Sequence, residues 1–223
     1  MMKSLARLRA FNSAELSDAL DAHGVEGALQ HIKPITLGTQ LIGPAYTVKY
    51  LPYGKKQEEF HHASDYIDEV PADSVIVIDN DGREDCTVWG GILTQVAVMK
   101  NIAGTIVHGA VRDLQIIREV KYPLFCRNIY MRTGRNRVYK SAEQCPLDIK
   151  GVVIRPGDII FADDNGVLVI PWHLLDEIIE KAHNIRLTEQ NILDSVRSGS
   201  SLEDARKNHR YNTPWIGQHD KSS

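Results

Sequence analysis

The sequence predicts an α/β fold, and three patterns carry that expectation. Ser74-Val75-Ile76-Val77-Ile78-Asp79 is a short continuous apolar run, as expected of a strand covered on both faces. A helical stretch from Trp89 to Lys100 and a second buried strand, Thr105-Ile106-Val107, follow it. That strand–helix–strand order is the signature of a parallel pair joined by a right-handed crossover. Beyond residue 150 the pattern changes to short apolar runs separated by turn residues, which reads as antiparallel or barrel-like strands.

The elements follow in chain order. Residues 12–22 read as a helix, with Asn12 as N-cap and Glu15 three residues on completing a capping box. Leu16, Ala19 and Leu20 recur on its inner face, and Gly24 and Gly27 end it. Leu41 to Tyr50 reads as a strand that is bulged or at a sheet edge, because Pro44 cannot donate to a ladder. Lys55 to Asp68 is a polar, helical stretch, and Asn80 to Asp85 is the loop leaving the Ser74–Asp79 strand. A helix near Leu114–Glu119 leads to a strand at Leu124-Phe125-Cys126. Val152–Ile154, Ile159–Asp163 and Val167–Ile170 are strands joined by tight turns, including Asp163-Asp164-Asn165-Gly166 as a hairpin turn. A long helix spans about Leu174 to Val196, and the tail from Ser198 is expected to be mobile or docked on a partner.

The bulk numbers exclude several function classes. The 223 residues suit a single domain, or one domain with terminal extensions, and suffice for a core without disulfides. Apolar and charged fractions of 43% and 25% are ordinary for a soluble globular protein. A net charge of -3 gives no basic excess for nucleic acid. The apolar runs are strand-sized, far below the roughly 20 residues a bilayer-spanning helix needs. The N-terminus lacks the apolar core of a secretion signal. Cys86, Cys126 and Cys145 form no CxxC, so a reducing cytoplasm is the expected setting.

Two segments can carry chemistry. Gly90-Gly91-Ile92-Leu93 opens a helix with side-chain-free positions, leaving backbone N–H groups and the helix dipole open to an anion. A close-packed turn explains a Gly pair equally well. Gly104 to Asp113 ends in an adjacent Arg112–Asp113 pair at the carboxyl end of a buried strand, where α/β sheets bind ligands. Asp113 is a hard oxygen ligand for Mg²⁺ or Mn²⁺, and Arg112 offers a planar fork to a carboxylate or enolate oxygen. Taken in isolation, such a pair also describes a surface ion pair of little energetic weight. His61-His62 beside Glu58, Glu59 and Asp65 reads either as a metal cluster or as a solvated face. His108 is either a proton carrier or a satisfied strand-end histidine. No GxGxxG fingerprint, Walker lysine or nucleophile elbow is present.

The order of these pieces is the specific signal. A glycine-rich helix start precedes Gly-x-x-x-x-Gly-x-Val-Arg-Asp by roughly 20 residues, and Pro156-Gly157-Asp158 and Asp163 to Pro171 follow. With Ser17-Asp18-Ala19-Leu20 and Gly43 to Val48, this resembles the family of the regulator of ribonuclease activity A and the divalent-metal-dependent 4-hydroxy-4-methyl-2-oxoglutarate aldolases. The resemblance covers about residues 13–185. It implies a compact layered sandwich with a swivelling-domain-like β/β/α core, assembled as homotrimers or hexamers with sites between subunits. It also implies lyase chemistry: cleavage of pyruvate from a 4-hydroxy-2-oxo acid, or decarboxylation of oxaloacetate. The backbone of Gly90, Gly91, Ile92 and Leu93 would then grip the pyruvyl carboxylate. Arg112 would contact substrate oxygens, and Asp113 would anchor Mg²⁺ or Mn²⁺, partly through water. Some aldolase members carry an acidic residue where this chain has Gly91, and some draw a glutamate from a neighbouring subunit's C-terminal region, a place only Glu203 suggests here. Name-giving members instead bind and inhibit an RNA-degradation endonuclease, a role that needs no metal.

Overall fold

The structure, a computed structural model, describes residues 2–53 and 64–211. Its helices and strands run α1 (Met2–Leu8), α2 (Ser13–Ala22), β1 (Ala28–Leu29), β2 (Lys33–Pro34), β3 (Leu41–Pro52), β4 (Val75–Asp79), β5 (Thr87–Trp89), α3 (Gly91–Met99), β6 (Gly104–Val111), α4 (Leu114–Glu119) and β7 (Leu124–Ile129). They continue with β8 (Val138–Glu143), β9 (Leu147–Ile149), β10 (Val152–Ile154), β11 (Ile159–Asp163), β12 (Gly166–Ile170), α5 (Leu175–Arg197) and α6 (Leu202–Asn208). Two compact units emerge: residues 28–172, and the helical segments of residues 1–27 with 173–223.

The α/β expectation holds in the first unit. One sheet runs in the order β1-β12-β11-β3-β4-β6-β7-β2, with β5 added on β6 and β8 on β3. Its centre, β3-β4-β6-β7, is parallel, and β3-β11-β12-β1 is antiparallel. The crossover between β4 and β6 carries β5 and α3, as the strand–helix–strand reading requires. β9 and β10 form a separate hairpin.

Burial on both faces explains the continuous apolar runs. One face packs Val48, Ile76, Ile78, Val107 and Val111 with Ala97 of α3 and Ile117 of α4. The other packs Ala45, Val75, Val77, Ile106 and Phe125 with Ile154, Ile160 and Val169. All five residues of β4 and all eight of β6 are buried. Each such Val or Ile contributes roughly 1.5–3 kcal/mol on leaving water.

Several local readings are corrected. β3 is a central strand, not an edge: it pairs with β11, β4 and β8 in turn. The Ala45 N–H donates to the Asp158 carbonyl, so position 44 faces the other neighbour, and pairing with β4 starts only at Ala45. Pro44 therefore removes no ladder bond. An irregularity does occur, at Lys49/Tyr50 against β8. Trp89 belongs to a short strand rather than to the helix, and β6 runs on to Val111, past Val107–His108. Of the polar stretch after Lys55, Asp65–Glu69 is a 3₁₀ turn, and residues 55–63 lie outside those described.

The helical unit confirms the capping box: the Asn12 side chain accepts from the Glu15 N–H, and Glu15 accepts from the Asn12 N–H. Leu16, Ala19 and Leu20 are buried. Arg186 of α5 binds both oxygens of Glu15, at 2.6 Å each. Burial alone would raise the Glu15 carboxyl, but the hydrogen bonds from Arg186 and the Asn12 amide hold it below its ordinary value. The tail is not simply mobile from Ser198. Ser201 caps α6 by accepting from the Asp204 N–H at 3.0 Å, a sequence signal that composition alone obscured.

Candidate active site

Two chain segments meet where the sheet's parallel half ends. β4 stops at Asp79, and β5 takes its place along β6, pairing Thr87 with Ala110 and Trp89 with Val111. The Arg112 N–H donates to the Trp89 carbonyl at 3.1 Å, tying the two exits together. Trp89 is buried, stacks on Tyr122 with centroids 6.0 Å apart, and donates its ring N–H to Thr94 Oγ1 at 2.9 Å. Thr94 Oγ1 in turn donates to the Gly90 carbonyl. A rigid aromatic anchor thus sets the start of α3.

At that start, side-chain-free positions are a steric requirement. A Cβ on Gly90 would stand 2.7 Å from Asp113 Oδ2, and one on Gly91 would stand 2.6 Å from Ile116 Cδ1. The close-packed-turn reading and the ligand reading are therefore compatible: the turn is tight because the Asp113 carboxylate fills it. Asp113 Oδ2 accepts from the Gly91 N–H at 2.8 Å. The Gly91 amide is thereby taken, which narrows the open amides of α3 to Ile92 and Leu93. Thr94 N–H already bonds the Gly90 carbonyl.

Asp113 sits at φ 60°, ψ 41°, the left-handed region, where Asp is among the few tolerated residues. That conformation turns the chain from β6 into α4. Its carbonyl receives the Ile116 N–H at 3.1 Å, while its side chain turns away from its own helix to α3. Strained, half-exposed polar residues of this kind cluster at ligand sites. The Arg112 and Asp113 side chains are 41% and 43% exposed and 3.7 Å apart, so neither charge is consumed by a tight pair.

A cavity of about 330 Å³ opens in front of them. Gly90, Gly91, Ile92, Leu93, Arg112 and Asp113 all line it. Tyr50, Tyr53, Thr87 and the turn 133–136 line it as well. Burial pushes the Tyr50 phenol well above its ordinary value, so it stays a neutral hydroxyl at working pH. Arg112 and Asp113 also line a second recess, together with Leu114, Ile129, Tyr130 and Met131.

Similarity to known proteins can now be read against this geometry. The family model described as RraA-like, Aldolase/RraA, matches residues 13–169. The chain belongs to the RraA-like family. DlpA of Legionella pneumophila is 59% identical over 217 residues, which is 97% of this chain but 35% of DlpA; the chain spans about a third of that relative's length. A Halalkalibacterium halodurans protein, provisionally named 4-hydroxy-4-methyl-2-oxoglutarate aldolase, is 32% identical over 80% of this chain and 81% of its own. The crystal structure of an uncharacterised Pseudomonas syringae protein superposes with a TM-score of 0.83 at 40% identity, covering 92% of this chain and 98% of that one.

Not every residue singled out in this RraA-like chain reaches the cavity. His108 is not among its lining residues. It is buried within β6, with Nδ1 2.8 Å from Asp79 Oδ1, and Asp79 is also paired with Lys49. Burial would raise the Asp79 carboxyl, but hydrogen bonds from His108, Lys49 and the Asp81 amide together hold it below its ordinary value. Asp158 closes a structural turn, accepting from the Arg155 and Trp172 N–H groups. Glu203 lies exposed in the first turn of α6. His61 and His62 lie outside the described residues. Conversely, Tyr50, Tyr53, Thr87 and the turn 133–136 were missed. The β-branched and aromatic run Thr87-Val88-Trp89 was a legible strand signal.

Proposed function

We propose that this protein is a divalent-metal-dependent lyase that cleaves or decarboxylates a small 2-oxo acid. One observation carries the reading: the Asp113 carboxylate, the Arg112 guanidinium and the open amides of Ile92 and Leu93 line one cavity. The aldolase name borne by a relative supports it at the level of the family.

The donor set fits a metal in one form. Among the described residues no group of three His, Cys, Asp or Glu side chains converges. Asp113 Oδ2 is also committed to Gly91. A largely hydrated Mg²⁺ or Mn²⁺, held by Asp113 directly or through water and completed by substrate oxygens, suits one half-exposed carboxylate. When bound, such an ion supplies Lewis-acid polarisation of the substrate's keto oxygen. The chain's own residues do the rest. The Ile92 and Leu93 amides and the α3 dipole hold the substrate carboxylate. Arg112 donates to the oxygen on which enolate charge develops as the carbon–carbon bond breaks. Assembly into homotrimers or hexamers and a cytoplasmic setting belong to the same proposal; among the described residues no helix is long and apolar enough to cross a membrane.

A coupled pyruvate assay with oxaloacetate and 4-hydroxy-2-oxo acids, with and without chelator, tests it. Asp113→Asn keeps the left-handed turn and an acceptor for Gly91 but removes the charge. Metal-dependent turnover is expected to fall about a hundredfold or more. Full activity in that variant rejects the assignment. No turnover by the unaltered protein with any metal, together with inhibition of an RNA-degradation endonuclease, would favour the regulator role instead.

A further inference from the structure

We propose that the Asp113 carboxylate is an internal competitor for the substrate carboxylate: it occupies the donors at the start of α3 and repels a second anion there until a divalent cation engages it. Cation then binds before acid. This role rests on the lyase reading for the ligands that the cavity takes; the contacts that define it stand apart from that reading.

Asp113 Oδ2 already sits as a bound carboxylate would. It accepts from the Gly91 N–H at 2.8 Å and lies 3.7 Å from Arg112 Nε. A first-turn amide of α3 and a guanidinium are the same two kinds of donor that grip a 2-oxo acid in the lyase reading. The three groups converge on Gly90. A Cβ there would stand 2.7 Å from Asp113 Oδ2, 3.2 Å from Arg112 Cγ and 3.3 Å from Arg112 Nε.

The contact spans the cavity's two chain segments. Asp113 is the residue before α4, yet its side chain reaches the start of α3, 22 residues back in the chain. The α3 cap position is Gly90, which has no side chain to offer the helix, so a carboxylate from elsewhere takes that task. It also meets the positive end of the α3 dipole, where one anion is stabilised. A second anion on the Ile92 and Leu93 amides would lie within a residue or two of the first. Like charges a few ångströms apart at a half-exposed site weaken binding by about tenfold or more. Arg112 offsets only part of this, because its pair with Asp113 is loose and half-exposed. A divalent cation on Asp113 reverses the sign of the local charge and turns repulsion into attraction.

Equilibrium binding of pyruvate, in buffer stripped of divalent cations, tests the role on the unaltered protein, Asp113→Asn and Asp113→Gly. Both substitutions suit the left-handed turn. Asp113→Asn should bind pyruvate about tenfold more tightly than the unaltered protein. Asp113→Gly also releases the Gly91 amide and should bind at least as tightly as Asp113→Asn. Added Mg²⁺ should tighten binding about tenfold for the unaltered protein and less than about twofold for either variant. A gain in affinity is the reverse of what loss of a purely attractive ligand, or loss of the fold, produces. Glu119→Gln removes the same charge from an exposed position at the end of α4 and should leave affinity within about twofold. No gain in Asp113→Asn, or an equal gain in Glu119→Gln, overturns the proposal. Metal-dependent turnover without these gains would overturn the internal competitor and leave the lyase reading standing. The gains without turnover by the unaltered protein would support the competitor and count against the lyase reading alone.

Discussion

Asp79 and Asp113 stand near the carboxyl ends of neighbouring parallel strands, yet their surroundings differ in every respect that matters. The Asp79 side chain is 2% exposed and takes three partners: Lys49, His108 and the Asp81 amide. The Asp113 side chain is 43% exposed, bonds one backbone N–H, and sits on a left-handed residue beside a cavity. Saturation marks a carboxylate that holds the fold. Partial commitment marks one with coordination capacity to spare. The same contrast separates His108, sealed inside β6, from Arg112, half-exposed at its exit.

Substitutions at the two aspartates are the sharpest way to break this contrast. In Asp113→Asn the loss belongs to activity: beside the hundredfold fall above, the melting temperature should stay within about 2 °C, since the turn and its acceptor persist. A large drop in melting temperature would make Asp113 structural. Asp79→Ala should do the reverse. It strands a buried histidine and a lysine, costing about 3 kcal/mol in denaturant unfolding, because removing one partner of a buried pair leaves the others uncompensated. A smaller effect lies at the joint between strand exit and helix start. Gly90→Ala forces the Asp113 carboxylate aside, and turnover should fall about tenfold with the fold retained. Unchanged kinetics would show that the close approach has no catalytic value.

The smallest effect is a pH signature. The folded-state pKa of Asp79 lies below its ordinary value, so its contribution to stability is full above that value and disappears as pH falls through the folded pKa. The stability gap between the unaltered protein and Asp79→Asn should therefore narrow as pH falls from about 5 toward 3. Urea midpoints measured at each pH read this directly. A gap that widens from pH 5 to pH 3 would contradict the pairing.

Periodicity and spacing made much of this visible in the sequence. Continuous apolar runs located β4 and β6, because strands buried on both faces leave no polar alternation to hide them. The Asn12–Glu15 box was legible because its chemistry is local. Gly90–Leu93 and Arg112–Asp113 could be singled out by their order along the chain. What escaped was non-local. Pro44 looks like an edge residue until the neighbour that would have used its N–H is known to begin one residue later. Nothing near His108 in sequence announces Asp79, which reaches it from the adjoining strand and is itself held by Lys49 of the strand beyond. Part of the cavity lining comes from a turn more than twenty residues beyond Arg112, which lies against β5, and neither spacing nor periodicity ties that turn to Arg112.

The long central strand has a consequence for the order in which the chain can be completed. β3 pairs with β4 within a few dozen residues, but its first half waits for β11 and its second for β8, about a hundred residues later. During synthesis, β4, β5, β6 and β7 are all available once Ile129 has emerged, while the segment 41–44 of β3 meets its sheet partner only when 159–162 of β11 arrive. For that interval the nascent chain carries an open apolar strand edge, a template for pairing with other chains. The half of the sheet that carries the cavity can form early, and the half that seals its central strand must form late.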